Sequence, residues 1–88
     1  MEPRYHARFL KHYQKRIFPN LALRLQFEQR LALFLQDPQN PLLKDHPLKG
    51  RKQGARAFSL SGDYRVVYSR ISASEVLLLD VGTHNQVY

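Results

Sequence analysis

His46, Asp63, His84 and Tyr88 are the side chains of this sequence best suited to proton chemistry or to shaping a site, and Arg56 and Arg65 are cations in the same half of the chain. Imidazole titrates close to neutrality, so two histidines can fill the base and acid roles of one reaction. An arginine fork matches a phosphate in charge and geometry, and a tyrosine ring can stack on a splayed base. Such a set suits RNA cleavage without a metal: the 2′-OH attacks its neighbouring phosphate, a base takes the proton, cations meet the developing charge, and an acid protonates the departing 5′-oxygen. Each residue also has a plainer reading. Asp63 in "SGDY" suits a turn, Tyr64 and Tyr68 suit a core, and His6 and His12 read as ordinary surface or core residues. Two histidines with Asp63 also match a metal-binding facial triad in composition, but tight ligand spacing is absent.

Those residues are scattered, so a fold must bring them together. In "ARFLKHYQKRI", Phe9, Leu10, Tyr13 and Ile17 fall on one face of a helix, with Arg8, Lys11, Lys15 and Arg16 mostly off it. Pro19 sits where a second helix can begin. Leu23, Phe27, Leu31, Phe34 and Leu35 mark its buried side, and "DPQNP" stops it near Gln36. "LLKDHPLKGRKQG" reads as loop or one short helical turn, with Pro47 pushing His46 out of the helical region. From Ala55 the texture is strand: "ARAFSL", a tight "SGD" turn, "YRVVYS", a second turn at "ISAS", then "EVLLLDV", apolar on both faces as an inner strand should be. The last run breaks at Gly82 and Thr83, and a short edge strand fits around Arg4 to His6. The expected fold is therefore α+β: two N-terminal helices on one face of a small antiparallel sheet, with the other face left for function.

The 88 residues make one domain, 1–88, with a hydrophobic fraction of 43%, close to the globular norm. With no cysteines the chain has no disulfide, thiolate metal site or cysteine nucleophile. The N-terminus opens no apolar leader and no stretch is long enough to span a membrane, so a soluble cytoplasmic protein is expected. The formal charge of +7, from 14 Lys and Arg against 7 Asp and Glu, favours a polyanion: nucleic acid or an acidic protein partner.

"KDHPLKG", then glycine and arginine two apart, then "SGDYRVVY", then a C-terminal "VGTHNQVY" resemble the RelE/ParE toxin superfamily, and most of all its YafQ-like branch of mRNA interferases. The resemblance covers nearly the whole chain, by pattern in the first half and by motif in the second. It implies a RelE-like microbial RNase fold and the toxin of a type II toxin–antitoxin system. Such a toxin cleaves messenger RNA at the ribosomal A site, needs no cofactor, and is monomeric alone and hetero-oligomeric with a cognate antitoxin. It implies acid–base roles for His46 and His84, and matches Asp63, Arg65 and the terminal Tyr88 to positions of that site. Our assignment is His46 as base and His84 as acid, or the reverse, Arg65 and Arg56 on the phosphate, Asp63 orienting and Tyr88 stacking. Lys11, Lys15, Lys49, Arg51 and Lys52 are expected to carry RNA binding. Some relatives have Asp and His on the strand before "SGD"; Ala57 and Ser59 stand there, so the site is thinner. The competing reading within the superfamily is a non-nuclease, ParE-like toxin that acts by binding a target such as gyrase.

If the basic surface docks on RNA, binding must fall with salt, with a log–log slope of about −0.7 to −0.9 per phosphate neutralised. Replacing Lys49, Arg51 and Lys52 with glutamine is expected to flatten that slope. Titration of ribosomes or single-stranded RNA at several salt concentrations measures it, and salt-independent binding would reject the docking role.

Overall fold

The computed structural model describes residues 1–50 and 54–88. Strand β1 (Glu2–Tyr5) leads into α1 (Ala7–His12), which continues as a π-helical turn over Tyr13–Ile17. Helix α2 (Leu21–Gln36) and a 3₁₀ turn (Pro41–Leu43) follow, then β2 (His46–Pro47), β3 (Arg56–Ser61), β4 (Tyr64–Arg70), β5 (Glu75–Thr83) and a terminal turn of helix, α3 (His84–Val87). The five strands form one mixed sheet in the order β1-β5-β4-β3-β2. β3, β4 and β5 form the expected antiparallel meander. β1 adds to its edge in parallel, Glu2 opposite Glu75 and Tyr5 opposite Leu78. No described helix is long and apolar enough to cross a membrane.

Local chemistry explains where the elements start and stop. The Asn20 side chain accepts a hydrogen bond from the Leu23 amide (3.1 Å) and so caps α2. Asp37 and Pro38 end that helix where the sequence predicts. His6 caps α1, its ring nitrogen accepting from the Arg8 amide at 3.0 Å. Gly62 has φ 52°, the positive value that the first position of a two-residue hairpin turn requires.

Two departures from the sequence reading matter. Leu10 is 51% exposed, because it sits one residue, and so roughly 100°, around the helix from buried Phe9. Strand β5 does not break at Gly82 and Thr83: Gly82 pairs with Arg65 and Thr83 with Tyr64, so the ladder carries on to the last five residues.

The sheet separates two apolar clusters of unequal size. On the helix side, Phe9, Ile17, Phe27, Phe34 and Leu43 pack on Phe58, Leu60, Val66, Tyr68, Val76, Leu78 and Val81. Phe34 is the hub, with its ring centroid 4.6 Å from those of both Phe58 and Tyr68. On the other side a small cluster of Ala55, Ala57, Val67 and Val87 is bordered by Leu48 and Leu79. Val87 comes from α3, so the terminal turn lies on the face that the long helices leave open. Phe34→Ala is expected to cost about 3–5 kcal/mol. At roughly 4–8 °C per kcal/mol for a domain of this size, the melting temperature should fall by more than about 10 °C, as read by thermal circular dichroism.

Candidate active site

His84 and Tyr88 open and close one helical turn. The Tyr88 amide donates to the His84 carbonyl (3.0 Å), and residues four apart share a helix face. Their rings meet edge to face with centroids 4.3 Å apart. So short a helix does not hold itself, and three contacts hold it here. Thr83 and Gln86 form a capping box, with Gln86 Oε1 accepting from the Thr83 amide at 2.7 Å. The Asp63 carbonyl, in the β3–β4 turn, accepts from the His84 amide at 3.0 Å. Val87 is buried against the sheet.

Gly82 makes room for this cap. A Cβ there would lie 2.6 Å from Gln86 Oε1 and 2.7 Å from Arg16 Nη1. Arg16 reaches this point because buried Asp80 holds its neighbourhood: Asp80 Oδ1 lies 2.6 Å from His12 Nδ1 and 3.7 Å from Arg16 Nη1, and Arg16 donates to the Val81 carbonyl at 3.0 Å.

His46 arrives from the opposite edge of the sheet. Strand β2 pairs with β3, placing His46 across from Ala57. Its ring stands edge-on to Tyr88, centroids 6.2 Å apart, and its Nε2 is 3.0 Å from the Tyr88 hydroxyl. Its Nδ1 is 3.0 Å from the Lys44 carbonyl. A carbonyl only accepts, so Nδ1 carries a proton, and in the neutral ring the Nε2 lone pair accepts from Tyr88. Burial pushes the Tyr88 hydroxyl above the ordinary tyrosine range, opposed by the nearby positive charge of Arg65. It therefore stays a proton donor at neutral pH.

The fold thus gathers His46, His84 and Tyr88, with Arg65 close by, on the sheet face away from α1 and α2. Arg65 projects from β4 and donates to the Gly62 and Tyr64 carbonyls at 2.8 and 3.0 Å. Asp63 contributes its backbone carbonyl to the site, while its side chain is exposed. Arg56 faces the other way: it sits beside Tyr68 and pairs with Asp45, Nε to Oδ1 2.7 Å. Lys11 and Lys15 are exposed on the helical layer, across the sheet from the histidines. Lys49 is exposed just beyond β2, and Arg51 and Lys52 lie outside the described residues. Buried Ala57 packs in the cluster that seats Val87, so a carboxylate there would displace the terminal turn. Among the described residues no three His, Cys, Asp or Glu side chains are grouped to hold a metal ion. Sequence reasoning missed the terminal helix, although Thr83-His84-Asn85-Gln86 carries the capping-box signal.

A five-stranded mixed sheet with helices packed on one face is the fold of the small RelE-like and YoeB-like toxins. The YoeB/ParE toxin from Agrobacterium tumefaciens superposes with a TM-score of 0.79 at 16% identity, over 96% of this chain and 99% of that one. A histidine mutant of YafQ from E. coli gives 0.81 at 18% identity, over 99% and 97%. A copper-bound mutant toxin from Helicobacter pylori gives 0.76 at 25% identity, over 100% and 99%. No curated protein matches the chain by sequence. The model of the family described as the bacterial toxin of a type II toxin–antitoxin system, YafQ, matches residues 1–88, and the chain belongs to that family.

Gln86→Ala removes the acceptor that caps α3, a change worth about 0.5–2 kcal/mol locally. It is expected to speed hydrogen exchange at the Tyr88 amide while amides in β4 keep their protection. Unchanged exchange at Tyr88 would show that the cap does not hold the turn.

Proposed function

We propose that this toxin is an endoribonuclease that cuts messenger RNA bound at the ribosomal A site, by attack of the 2′-OH on the adjacent phosphate, with no metal or cofactor. The observation that supports it best is the convergence of His46 and His84, 38 positions apart in the sequence, on one exposed tyrosine ring. His46, with its Nε2 turned toward the site, suits the base in its neutral form: RNA displaces the Tyr88 hydroxyl and Nε2 takes the 2′-OH proton. The new bond joins the 2′-oxygen to phosphorus, and the bond from phosphorus to the 5′-oxygen breaks. His84, in its protonated form, returns a proton to that leaving oxygen. The products are a 2′,3′-cyclic phosphate and a 5′-hydroxyl. Arg65 is the described cation placed to meet the charge that builds on the phosphate. Tyr88, 42% exposed, offers a ring face to a base.

The partner that silences the toxin is a cognate antitoxin with an acidic binding segment. The net charge of +7 supports this. So does the likeness to YafQ in the E. coli DinJ–YafQ complex, at TM-score 0.69 and 22% identity over 99% of this chain and 97% of that one.

His46→Ala and His84→Ala are each expected to lower RNA cleavage by about 10²–10⁴-fold with circular dichroism unchanged. Loss of the Tyr88 ring should remove about 1–3 kcal/mol of stacking, so Tyr88→Ala loses about 5- to 150-fold. Tyr88→Phe keeps most activity. The measurement is cleavage of a labelled RNA and of ribosome-bound message, with and without chelator, with cyclic-phosphate ends identified by mass. Full activity of both histidine variants would reject the assignment. Growth arrest without any RNA cleavage would favour a toxin that acts by binding, and cleavage abolished by chelator would favour a metal mechanism.

A further inference from the structure

Asp45 has no part in the chemistry above, yet it is the best-held side chain in the segment that carries His46. Its Oδ1 receives Arg56 Nε at 2.7 Å, and its Oδ2 receives the Tyr68 hydroxyl. Tyr68 is itself buried in the helix-side core, with 1% exposure. Burial and then the Asp45 carboxylate push the Tyr68 hydroxyl well above its ordinary range, so it remains a donor. The carboxylate is thus fixed on the helix side of the sheet. In extended chain, neighbouring side chains point to opposite faces, so anchoring Asp45 on one face aims His46 at the other.

The residue before Asp45 is equally constrained. Lys44 has φ 50° and ψ 38°, the left-handed conformation that is unfavourable for a non-glycine residue. Such a conformation persists where its surroundings impose it. Buried Leu43 lies on one side of Lys44 and the doubly bonded Asp45 on the other. The twist brings the Lys44 carbonyl to 3.0 Å from His46 Nδ1. A free neutral imidazole favours the proton on Nε2. Here the carbonyl places it on Nδ1 and leaves Nε2 as the acceptor facing Tyr88.

We infer that Asp45, with Arg56 and Tyr68, is a positioning residue that locks His46 in the Nδ1–H tautomer and so presents an unprotonated Nε2 to the site. The link from tautomer to cleavage rests on the endoribonuclease reading; the tautomer lock itself does not.

The test uses the purified, ¹⁵N-labelled full-length toxin without RNA. Long-range ¹H–¹⁵N correlation spectra of the imidazole rings, taken about two pH units above the ordinary histidine pKa of about 6.5, report which nitrogen is protonated. Wild-type His46 is expected to show Nδ1–H. Asp45→Ala is expected to shift His46 toward Nε2–H and leave the His84 pattern unchanged. In cleavage assays the same variant should lose about 10- to 100-fold in kcat, less than loss of the base itself, with KM within about twofold. Arg56→Gln, at a half-exposed side chain, provides a second variant if Asp45→Ala does not fold, and it should move the tautomer in the same direction. An Nε2–H wild-type His46, or an unmoved tautomer in folded variants, overturns the inference. So does undiminished cleavage in a variant whose tautomer has shifted. A wild-type toxin that cuts no RNA, together with the tautomer shift in its variants, would sink the nuclease reading and leave the lock standing.

Discussion

The terminal helical turn has no stability of its own. Isolated helices shorter than about 12–15 residues are marginal in water, and α3 spans four residues. It exists because Val87 is buried on the open face of the sheet, over Ala57 and Val67. That one apolar contact places His84 and Tyr88, and through Tyr88 it meets His46. The capping box and the Asp63 carbonyl satisfy polar groups that the contact brings near, but the apolar seat decides where the turn lies. The usual expectation that chain ends fray is overridden because this end carries a side chain of the core.

A division of labour among the four histidines follows from the same geometry. His6 caps α1 and His12 bonds to buried Asp80. Both act on the helix side, where they join β1, α1 and β5. His46 and His84 project on the opposite face, where both rings meet Tyr88. The sheet therefore works as a partition: one face holds the large core built around Phe34, and the other holds a small core just wide enough to seat the terminal turn. The Asp80 cluster links the two, since Arg16 reaches past β5 to the Val81 carbonyl and the space beside Gly82.

Electrostatics at the site are sparse. Arg65 is the described cation near the ring cluster, because Arg56, adjacent in register to Tyr68, is drawn to Asp45 on the other face. Ala57 and Ser59 add no charge between them. The arrangement relies on orientation: the Lys44 carbonyl meets one imidazole, a phenol raised by burial stands beside it, and two imidazoles are set against its ring.

Much of this was legible in the amino-acid order alone. Apolar spacing marks the body of α2 and "DPQNP" its stop, while its start, expected at Pro19, falls at Leu21 behind the Asn20 cap. Alternation and turn residues mark the meander, and the polar runs "KDHPLKG" and "VGTHNQVY" mark the candidate site residues and the family resemblance. These are local signals, set by side-chain periodicity and turn chemistry over a few neighbours. The pairing of β1 beside β5, the two-residue strand at His46, the outward tilt of Leu10, the reversal of Arg56 toward Asp45 and the helical turn at the end were decided by tertiary structure. Each depends on a partner nine or more residues away in sequence or on which face of the sheet is already occupied. Residue order names the groups capable of chemistry. Only the folded sheet, by giving each side chain a face and a neighbour, decides which of them meet.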